Sequence, residues 1–314
     1  MDRAGLADFP ELSRLRVGSL SIQLECPDPG IRSRLERLFR TRVEAVDGRC
    51  QLELAVLRSA EGPFGSSDRL EMQTRQDTLV ISSDAIFAEL TPGEPARAWL
   101  CVHPVARELD HYLLVVLNSI LRRLGAVRLH AAALRWRERT HLFVGSKGAG
   151  KTTLSLSLGR AGATVLAEDQ VLVRRLPDSS FRVSGGDGRM RLTAPTESHF
   201  VGQLDDVAPQ DFAGTPKKEI ELSRLVTACP FVDQPLECIY FPSVGTELRL
   251  EPMSARAVIQ RLLADLLPIH RFASDEDRLG FFDSLLELVS GLRRYRLTLS
   301  PRLEELGRLE DLLG

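Results

Sequence analysis

Eight consecutive residues, Gly145 to Thr152, read Gly-Ser-Lys-Gly-Ala-Gly-Lys-Thr and match the G-x-x-x-x-G-K-[ST] pattern of a phosphate-binding (Walker A) loop. Glycines in such a loop let backbone N–H groups turn inward, at a helix N-terminus whose dipole also favours an anion. Lys151 is then expected to reach the β- and γ-phosphates of a nucleotide, and the Thr152 hydroxyl to bind Mg²⁺. The remaining predicted nucleotide contacts are Gly145, Ser146, Lys147, Gly148, Ala149, Gly150 and Thr153.

The residues on both sides of the motif have the pattern that such a loop needs. His141 to Val144 is apolar and predicts the strand that enters the loop. Lys151 to Arg160 predicts the helix that leaves it. The alternative is a glycine-rich turn that only caps a helix, and the flanking strand and helix argue against it.

A pair of adjacent carboxylates follows the next strand along the chain. Thr164 to Ala167 predicts a buried strand, and Glu168 and Asp169 come directly after it. In an open α/β sheet, ligands lie beyond the carboxyl ends of the strands, so the pair is expected to face the bound phosphates and metal. A carboxylate there can hold Mg²⁺ or accept the proton of an attacking hydroxyl. The alternative is an exposed acidic turn that leads into the next strand.

Lysine is scarce in this chain, because only four of the 41 basic residues are Lys and the rest are Arg. Lys147 and Lys151 lie in the loop motif, and the other two are the adjacent Lys217 and Lys218. A Lys ammonium is a compact point charge on a flexible stem, which the planar Arg guanidinium does not mimic. Lys217 and Lys218 are therefore candidates for a second contact with the phosphates. A solvated loop with two ordinary surface charges is an equal alternative.

The composition argues against several classes of function. Of the 314 residues, 43% are hydrophobic and 27% are charged, and the formal net charge of −2 leaves no basic footprint for nucleic acid or an anionic membrane. No apolar run approaches the ~20 residues that span a bilayer. Met1 to Asp8 lacks the basic start and apolar core of a secretory signal. The five cysteines include no C-x-x-C pair, so we expect reduced thiols and a cytoplasmic protein.

Two domains are predicted, an N-terminal α+β module over residues 1–95 and a catalytic domain over residues 96–314. A linker rich in Pro and Gly at 91–95 marks the boundary, and a long amphipathic helix over Pro104 to Leu124 opens the second domain. Within the first domain the pattern of apolar residues predicts a strand, a helix, a strand and a hairpin. Their ranges are Val17–Glu25, Pro29–Arg42, Cys50–Leu57 and Asp68–Ser83.

These motifs resemble the HPr kinase/phosphorylase group, in particular its less characterised HPr-kinase-related members. The resemblance rests on His130, which lies 21 residues before Lys151, on the loop itself, and on Glu168 and Asp169, 17 and 18 residues after Lys151. It continues as an order of elements and covers residues 100–312. It implies an α/β fold with a P-loop kinase core of the HPr kinase and PEP carboxykinase-like type, preceded by the smaller module.

The resemblance also implies a role for His130 at the phosphate region, although a lone His in an apolar strand is more often a core residue. The catalytic residues are then expected to be Asp169, Glu168, His130 and Lys151, and the metal ligands Thr152, Asp169 and Glu168. Glu197 could be a further active-site carboxylate, and a cap that starts a helix is at least an equal alternative for it.

Three departures from the resembled group restrict what it implies. Ser146 stands at a loop position where HPr kinases have an acidic residue, and Thr152 and Thr153 stand where they have Ser-Glu. Glu168 replaces the usual Asp. The C-terminal signature of the phosphorylase reaction is also missing from the sequence, so we expect neither phosphorylase activity nor HPr as the substrate.

The sequence therefore predicts an ATP- and Mg²⁺-dependent kinase that phosphorylates a hydroxyl, most simply a serine, of a peptide, protein or small metabolite. The N-terminal module is the expected place of acceptor recognition. An ATP-sensing regulatory protein that transfers nothing is the alternative. The partners implied are a nucleotide and a hydroxyl-bearing acceptor, with no nucleic acid and no membrane, and assembly into a homo-oligomer is left open.

Overall fold

The computed structural model shows a mixed α/β protein with several sheets. It divides into two compact units, one of Met1–Val127 with Leu267–Phe282 and one of Arg128–Leu266 with Asp283–Gly314. The residues that the structure describes are 12–39, 42–43, 50–106, 108–186, 188–202, 204–211, 214–270 and 275–313.

The first unit is built around an eight-stranded sheet. Its elements are β1 (Leu12–Val17), β2 (Leu20–Glu25), α1 (Pro29–Phe39), β3 (Arg42–Val43), β4 (Leu52–Arg58), β5 (Glu71–Arg75), β6 (Thr78–Ser82), β7 (Ile86–Thr91), β8 (Ala96–Val102) and α2 (Leu109–Arg123). The sheet order is β3-β1-β2-β4-β8-β7-β6-β5, and only the neighbours β2, β4 and β8 are parallel among these described strands. Helix α1 buries Ile31, Leu35 and Phe39, three of the four apolar residues that its helical spacing predicts, and Leu38 is half-buried.

Two elements of this unit have bounds that differ from the prediction, and in both cases a residue with a left-handed backbone lies at the boundary. The strand predicted at Val17–Glu25 is two strands, because Gly18, with φ of +56°, turns the chain between β1 and β2. The helix predicted from Pro104 begins only after Glu108, whose φ is +53°. The hairpin predicted at Asp68–Ser83 is confirmed as β5 and β6.

The domain boundary predicted between residues 95 and 96 is wrong. The segment at 91–95 joins β7 to β8, and β8 pairs with β7 on one side and with β4 on the other. The first unit therefore continues through β8 and α2 to Val127. Proline and glycine favour a turn, but they do not indicate whether the joined strands belong to the same sheet.

The second unit contains sheets of six, four and three strands. Its strands, the first of which begins two residues before the unit, are β9 (Ala126–Leu129), β10 (Ala131–Trp136), β11 (Arg139–Val144), β12 (Thr164–Ala167), β13 (Val171–Arg175), β14 (Phe181–Gly185), β15 (Arg189–Leu192), β16 (Gln210–Asp211), β17 (Pro216–Glu221), β18 (Gln234–Pro235), β19 (Cys238–Val244), β20 (Arg249–Pro252) and β21 (Arg293–Leu299). Helices α3 (Lys151–Arg160) and α4 (Ala194–Phe200) lie within it. The helices that follow are α5 (Ala255–His270), α6 (Asp275–Ser290) and α7 (Leu309–Leu312).

The six-stranded sheet brings two chain segments to the same edge. Its order is β12-β10-β11-β19-β21-β20, and β10 runs antiparallel to both β11 and β12. Strands β11 and β12 therefore point in the same direction, and their carboxyl ends emerge together. The loop that follows β11 and the carboxylates that follow β12 are placed by this topology at one edge, where α/β sheets bind ligands.

Close packing fixes the two elements on which the site depends. The bounds of α3 and β12 are those predicted, and the strand that enters the loop begins two residues earlier than predicted, at Arg139. On β14, a Cβ added at Gly185 would lie 1.8 Å from the carbonyl oxygen of Leu166, so β12 approaches β14 as closely as a glycine allows.

No helix among the described residues is long and apolar enough to cross a membrane.

Candidate functional site

The glycine-rich loop between β11 and α3 turns through two left-handed residues. Gly148 has φ of +85° and Gly150, directly before the helix, has φ of +92°. At Gly150 a Cβ would also lie 2.5 Å from the Leu299 side chain, so both the backbone and the packing require glycine there. At Gly145 a Cβ would lie 2.9 Å from the Cβ of Ala149. The loop glycines therefore allow a compact turn at the N-terminus of α3, where the helix dipole favours an anion.

Lys151 lies inside this loop, with only 7% of its surface exposed. Its Nζ donates hydrogen bonds to the carbonyl oxygens of Gly145, at 2.6 Å, and Ser146, at 3.2 Å. The same Nζ is 3.0 Å from Nε2 of His130. The ammonium group is thus held at the centre of the loop by backbone dipoles.

His130 connects the loop lysine to the acidic pair. It lies between β9 and β10 with half of its side chain exposed, so the interpretation as a buried core histidine is wrong. Its Nδ1 is 3.0 Å from both the backbone carbonyl oxygen and Oδ1 of Asp169. Because the Lys151 ammonium is a donor only, the hydrogen-bond pattern favours Nε2 as the acceptor from Lys151 and Nδ1 as the donor to Asp169.

Glu168 is buried against the first turns of α3. Its Oε1 accepts a hydrogen bond of 2.5 Å from Thr152 Oγ1, and its Oε2 accepts one of 2.7 Å from Ser155 Oγ. Burial raises the pKa of Glu168, and the two hydroxyl donors lower it by less. The sequence did not single out Ser155, although its position three residues after Thr152 puts both hydroxyls on one face of the helix.

The backbone turns at Asp169, two residues after the end of β12. Its φ of +73° lies in the left-handed region, which Asp tolerates better than most residues. Its Oδ2 accepts a hydrogen bond of 3.0 Å from Nη1 of Arg191, on β15. Arg191 in turn donates from Nε to Oε2 of Glu219, on β17, at 2.9 Å. No local pattern in the sequence marks Arg191 or Glu219.

The two candidate lysines outside the loop lie in a strand, and the prediction that they form part of a loop is wrong. Lys218 donates from Nζ to Oε1 of Glu197, at 2.8 Å, and to the carbonyl oxygen of Leu204, at 2.6 Å. The structure thus gives Lys218 internal partners in place of the expected phosphate contact. Strand alternation puts its neighbour Lys217 on the opposite face, with Glu219.

Glu197 is paired with Lys218, and the interpretation as a cap that starts a helix is wrong. Helix α4 begins at Ala194 after Thr193, so Glu197 lies one turn inside the helix and does not cap it. Its carboxylate, only 9% exposed, is paired with Lys218. The hydrogen bond from Lys218 lowers the pKa of Glu197, and the backbone N–H of Leu204 lowers it further.

The loop also contacts the segment that leads into β17. Nζ of Lys147 donates a 2.8 Å hydrogen bond to Oγ1 of Thr215, one residue before the strand. The start of β17 therefore lies beside the glycine-rich loop. Among the residues that the structure describes, no group of three or more His, Cys, Asp or Glu side chains is arranged to hold a metal ion. A cation here would need hydroxyl and ligand oxygens as well as carboxylates.

The comparisons with known proteins add one distant similarity. No protein-family model matches this chain, and no curated protein matches it either. Among solved structures, the HPr(Ser) kinase/phosphatase from Coxiella burnetii is similar, with 11% sequence identity over 59% of this chain and 93% of that chain and a TM-score of 0.29. This is a distant structural relationship only.

Proposed function

We propose that this protein is an ATP- and Mg²⁺-dependent phosphotransferase. It transfers the γ-phosphate to a hydroxyl group, with serine as the expected acceptor, of a peptide, protein or small metabolite. The observation that carries the proposal is the meeting of two segments at one sheet edge. There Glu168 binds Thr152 of the loop helix, and Asp169 binds His130, which contacts the loop lysine Lys151.

The loop supports binding of the nucleotide phosphates. It ends at the N-terminus of α3, where the helix dipole favours an anion. Lys151 adds an almost buried positive charge, and a charge shielded from water gains more from an anionic ligand than an exposed one does. We therefore assign Lys151 to the β- and γ-phosphates and the loop backbone to the rest of the triphosphate.

The side chains beside the loop fit Mg²⁺. The Thr152 hydroxyl and the Glu168 carboxylate offer hard oxygen ligands for a metal ion, and their Oγ1 and Oε1 atoms lie 2.5 Å apart. Asp169, the next residue, offers a second carboxylate. Because burial raises the pKa of Glu168, its ionised form would be stabilised by a cation more than an exposed carboxylate would be. Bound Mg²⁺ would neutralise charge on the β- and γ-phosphates.

Asp169 is assigned as the base of the transfer. The acceptor oxygen forms a bond to the γ-phosphorus, the bond from that phosphorus to the β–γ bridging oxygen breaks, and the acceptor proton passes to the Asp169 carboxylate. His130 contacts Asp169 through Nδ1 and Lys151 through Nε2. We therefore assign to His130 the orientation of the base relative to the phosphates.

One observation favours the second candidate, an ATP-sensing protein that transfers nothing. Both carboxylate oxygens of Asp169 already have partners, Oδ1 with His130 and Oδ2 with Arg191. A carboxylate used only as a structural link would have this arrangement. The kinase proposal requires the acceptor hydroxyl to use a remaining lone pair, since each carboxylate oxygen can accept more than one hydrogen bond.

The test is a transfer screen with γ-labelled Mg-ATP against proteins, peptides and metabolites of the source cell. Lys151→Ala should weaken Mg-ATP binding by ~10-fold or more and abolish labelled product, because this side chain contacts the phosphates while the backbone shapes the loop. Arg160→Ala is the matched control, since it removes a positive charge from the other end of the same helix.

The control should bind nucleotide and transfer phosphate as the parent does. If Lys151→Ala also behaves as the parent in both measurements, the loop has no role in nucleotide chemistry and the proposal fails. If nucleotide binds but no acceptor is labelled by the parent, the sensor is the better description.

A further inference from the structure

Charged and polar side chains form a continuous path from the glycine-rich loop to β17. It runs from Lys151 to His130, then to Asp169, Arg191 and Glu219, and each step is a contact of 2.9 to 3.0 Å. The proposed function uses the first three residues only. Arg191 and Glu219 are the part of the path to which it gives no role.

The guanidinium of Arg191 is held on two sides. Nη1 binds Oδ2 of Asp169 and Nε binds Oε2 of Glu219, while only 27% of the Arg191 side chain and 18% of the Glu219 side chain are exposed. Arg191 and Glu219 are direct cross-strand partners of β15 and β17, so their side chains leave the sheet on the same face. The planar guanidinium fixes the directions of its N–H groups, which a Lys ammonium would not do.

We propose that Arg191 is a positioning residue for the transfer reaction, which rests on the function proposed above. With Oδ1 against His130 and Oδ2 against Arg191, the Asp169 carboxylate is fixed at both oxygens and its plane cannot rotate. The direction in which the carboxylate meets an acceptor hydroxyl is then fixed by these two contacts. Glu219 holds the guanidinium, and Arg191 acts through Asp169 without touching the phosphate.

A role in positioning differs from a role in stability alone by its kinetic effect. Misplacing a catalytic group by about 1 Å can cost ~100-fold in rate without weakening substrate binding. A purely structural ion pair at this degree of exposure would instead affect unfolding, with nucleotide binding and transfer falling together or not at all. The two roles are therefore separated by comparing kcat, KM and nucleotide affinity in the same variants.

The experiment uses the full chain with Arg191→Gln, Arg191→Lys and Glu219→Gln, and with Arg189→Gln as the control. Arg189 lies two residues earlier on the same face of β15 and forms ion pairs with Glu219 and Glu221. We measure transfer from γ-labelled Mg-ATP to water and to the acceptor found in the screen, the Kd of Mg-ATP, and the midpoint of urea unfolding.

Arg191→Gln should lower kcat by ~30- to 100-fold with Mg-ATP affinity within about threefold of the parent. In Arg191→Lys, kcat should be partly recovered relative to Arg191→Gln. In Glu219→Gln, kcat should fall ~5-fold because the guanidinium of Arg191 is held less firmly. In Arg189→Gln, kcat should stay within about threefold of the parent value. Addition of guanidinium ion to an Arg191→Ala variant should raise its rate, which a structural role would not produce.

Two results would overturn the inference separately from the function. Equal kcat in Arg191→Gln and Arg189→Gln would remove the positioning role while leaving the phosphotransferase intact. Arg191 would have only a structural role if Arg191→Gln lowered the unfolding midpoint, the nucleotide affinity and kcat together. In that case neither the Arg191→Lys substitution nor guanidinium ion added to Arg191→Ala would restore kcat. A parent protein that binds Mg-ATP but labels neither water nor any acceptor would refute the proposed function, and with it any role for Arg191 in transfer.

Discussion

Two regions of the second unit carry adjacent residues of like charge, and the side chains of the two pairs are arranged differently. At the end of β12, Glu168 and Asp169 both face the glycine-rich loop, one through Thr152 and the other through His130. In β17, the adjacent Lys217 and Lys218 lie on opposite faces of the strand. The sequence offers both pairs as candidate site residues, with a solvated loop as an equal alternative for the lysines. In the structure the contacts of the two carboxylates converge on the loop, and the two lysines point apart.

The reason for the difference is where each pair lies in its strand. Inside a regular strand, successive side chains point to opposite faces, so the two lysines cannot converge. At the end of β12 the left-handed backbone of Asp169 breaks this alternation, and both carboxylates reach the same edge of the sheet. Neighbours in sequence therefore become neighbours at a site only where the strand has ended.

Asp169→Asn should give the largest effect in the acidic pair. The change keeps the size of the side chain and removes its charge and basicity, so transfer should fall by ~100-fold or more, about 2.7 kcal/mol, with little change in nucleotide affinity. Single-turnover transfer and the Kd of Mg-ATP are the measurements. Asp206→Asn, which alters an exposed ion pair with Arg224, is the control, and equal rates in the two variants would exclude Asp169 as the base.

Gly185→Ala should displace the end of β12 and so disturb the acidic pair from a distance. The added Cβ would overlap the carbonyl oxygen of Leu166, and the resulting shift should cost about 2 kcal/mol of unfolding free energy and reduce transfer. Urea unfolding and transfer assays measure the two effects.

Gly291→Ala is the matched control for this change, because a Cβ there meets no atom within 4 Å. It should leave both unfolding and transfer close to the parent. If Gly185→Ala behaves as this control does, close packing does not hold the strand end in place.

Separate Met substitutions should show that Lys218 acts on stability and Lys217 on transfer. Lys218→Met leaves the carboxylate of Glu197 without its cation and should lower the melting temperature by about 2–4 °C, with little effect on transfer. Lys217→Met should leave the melting temperature unchanged and lower the transfer rate by ~10-fold, because the start of β17 lies beside Lys147 of the phosphate-binding loop.

Calorimetry and transfer assays distinguish these outcomes, with Lys217→Arg as a variant that keeps the charge. An equal effect of the two Met variants on transfer would contradict the division of the pair. Unchanged transfer in Lys217→Met would leave Lys217 as a surface charge.

The smallest effect expected is the pH dependence of the Lys218 ion pair. Lys218 lowers the pKa of Glu197 below its ordinary value of 4.5, so the unfolded chain binds the proton more tightly than the folded one. The stability from this pair is therefore present above pH 4.5 and is lost as the pH falls through the folded pKa. The difference in melting temperature between the parent and Lys218→Met should narrow over that range, and a constant difference would show that Lys218 acts through packing instead.

Local patterns in the sequence predicted the elements closest to the loop. The bounds of α3 and β12 follow from contiguous runs whose apolar spacing and flanking glycines are enough to define a helix or a buried strand. The predicted domain boundary at 95/96 was wrong because a Pro- and Gly-rich turn marks only a change of direction. Strand β8 pairs with β4, in which Leu52 lies opposite Ala96, as well as with its neighbour β7.

The candidate site was predictable where it is contiguous. The loop from Gly145 to Thr152 and the pair Glu168 and Asp169 could be recognised from residue type and order alone, because each occupies one short segment at the end of a strand. His130 was found only through its spacing in a resembled family. Ser155 was missed because a Ser in a helix has no distinctive local signal.

What the sequence by itself determined is the set of groups offered to a ligand: a turn of glycines, a lysine, a hydroxyl and two carboxylates, because short motifs fix these through local backbone geometry. What only the tertiary structure decided is how they are joined and directed. The contact of Arg191 with both Asp169 and Glu219 depends on the register of β15 against β17 and on the place where β12 ends. Those positions arise from pairing and packing between distant segments, which no local pattern of residues encodes.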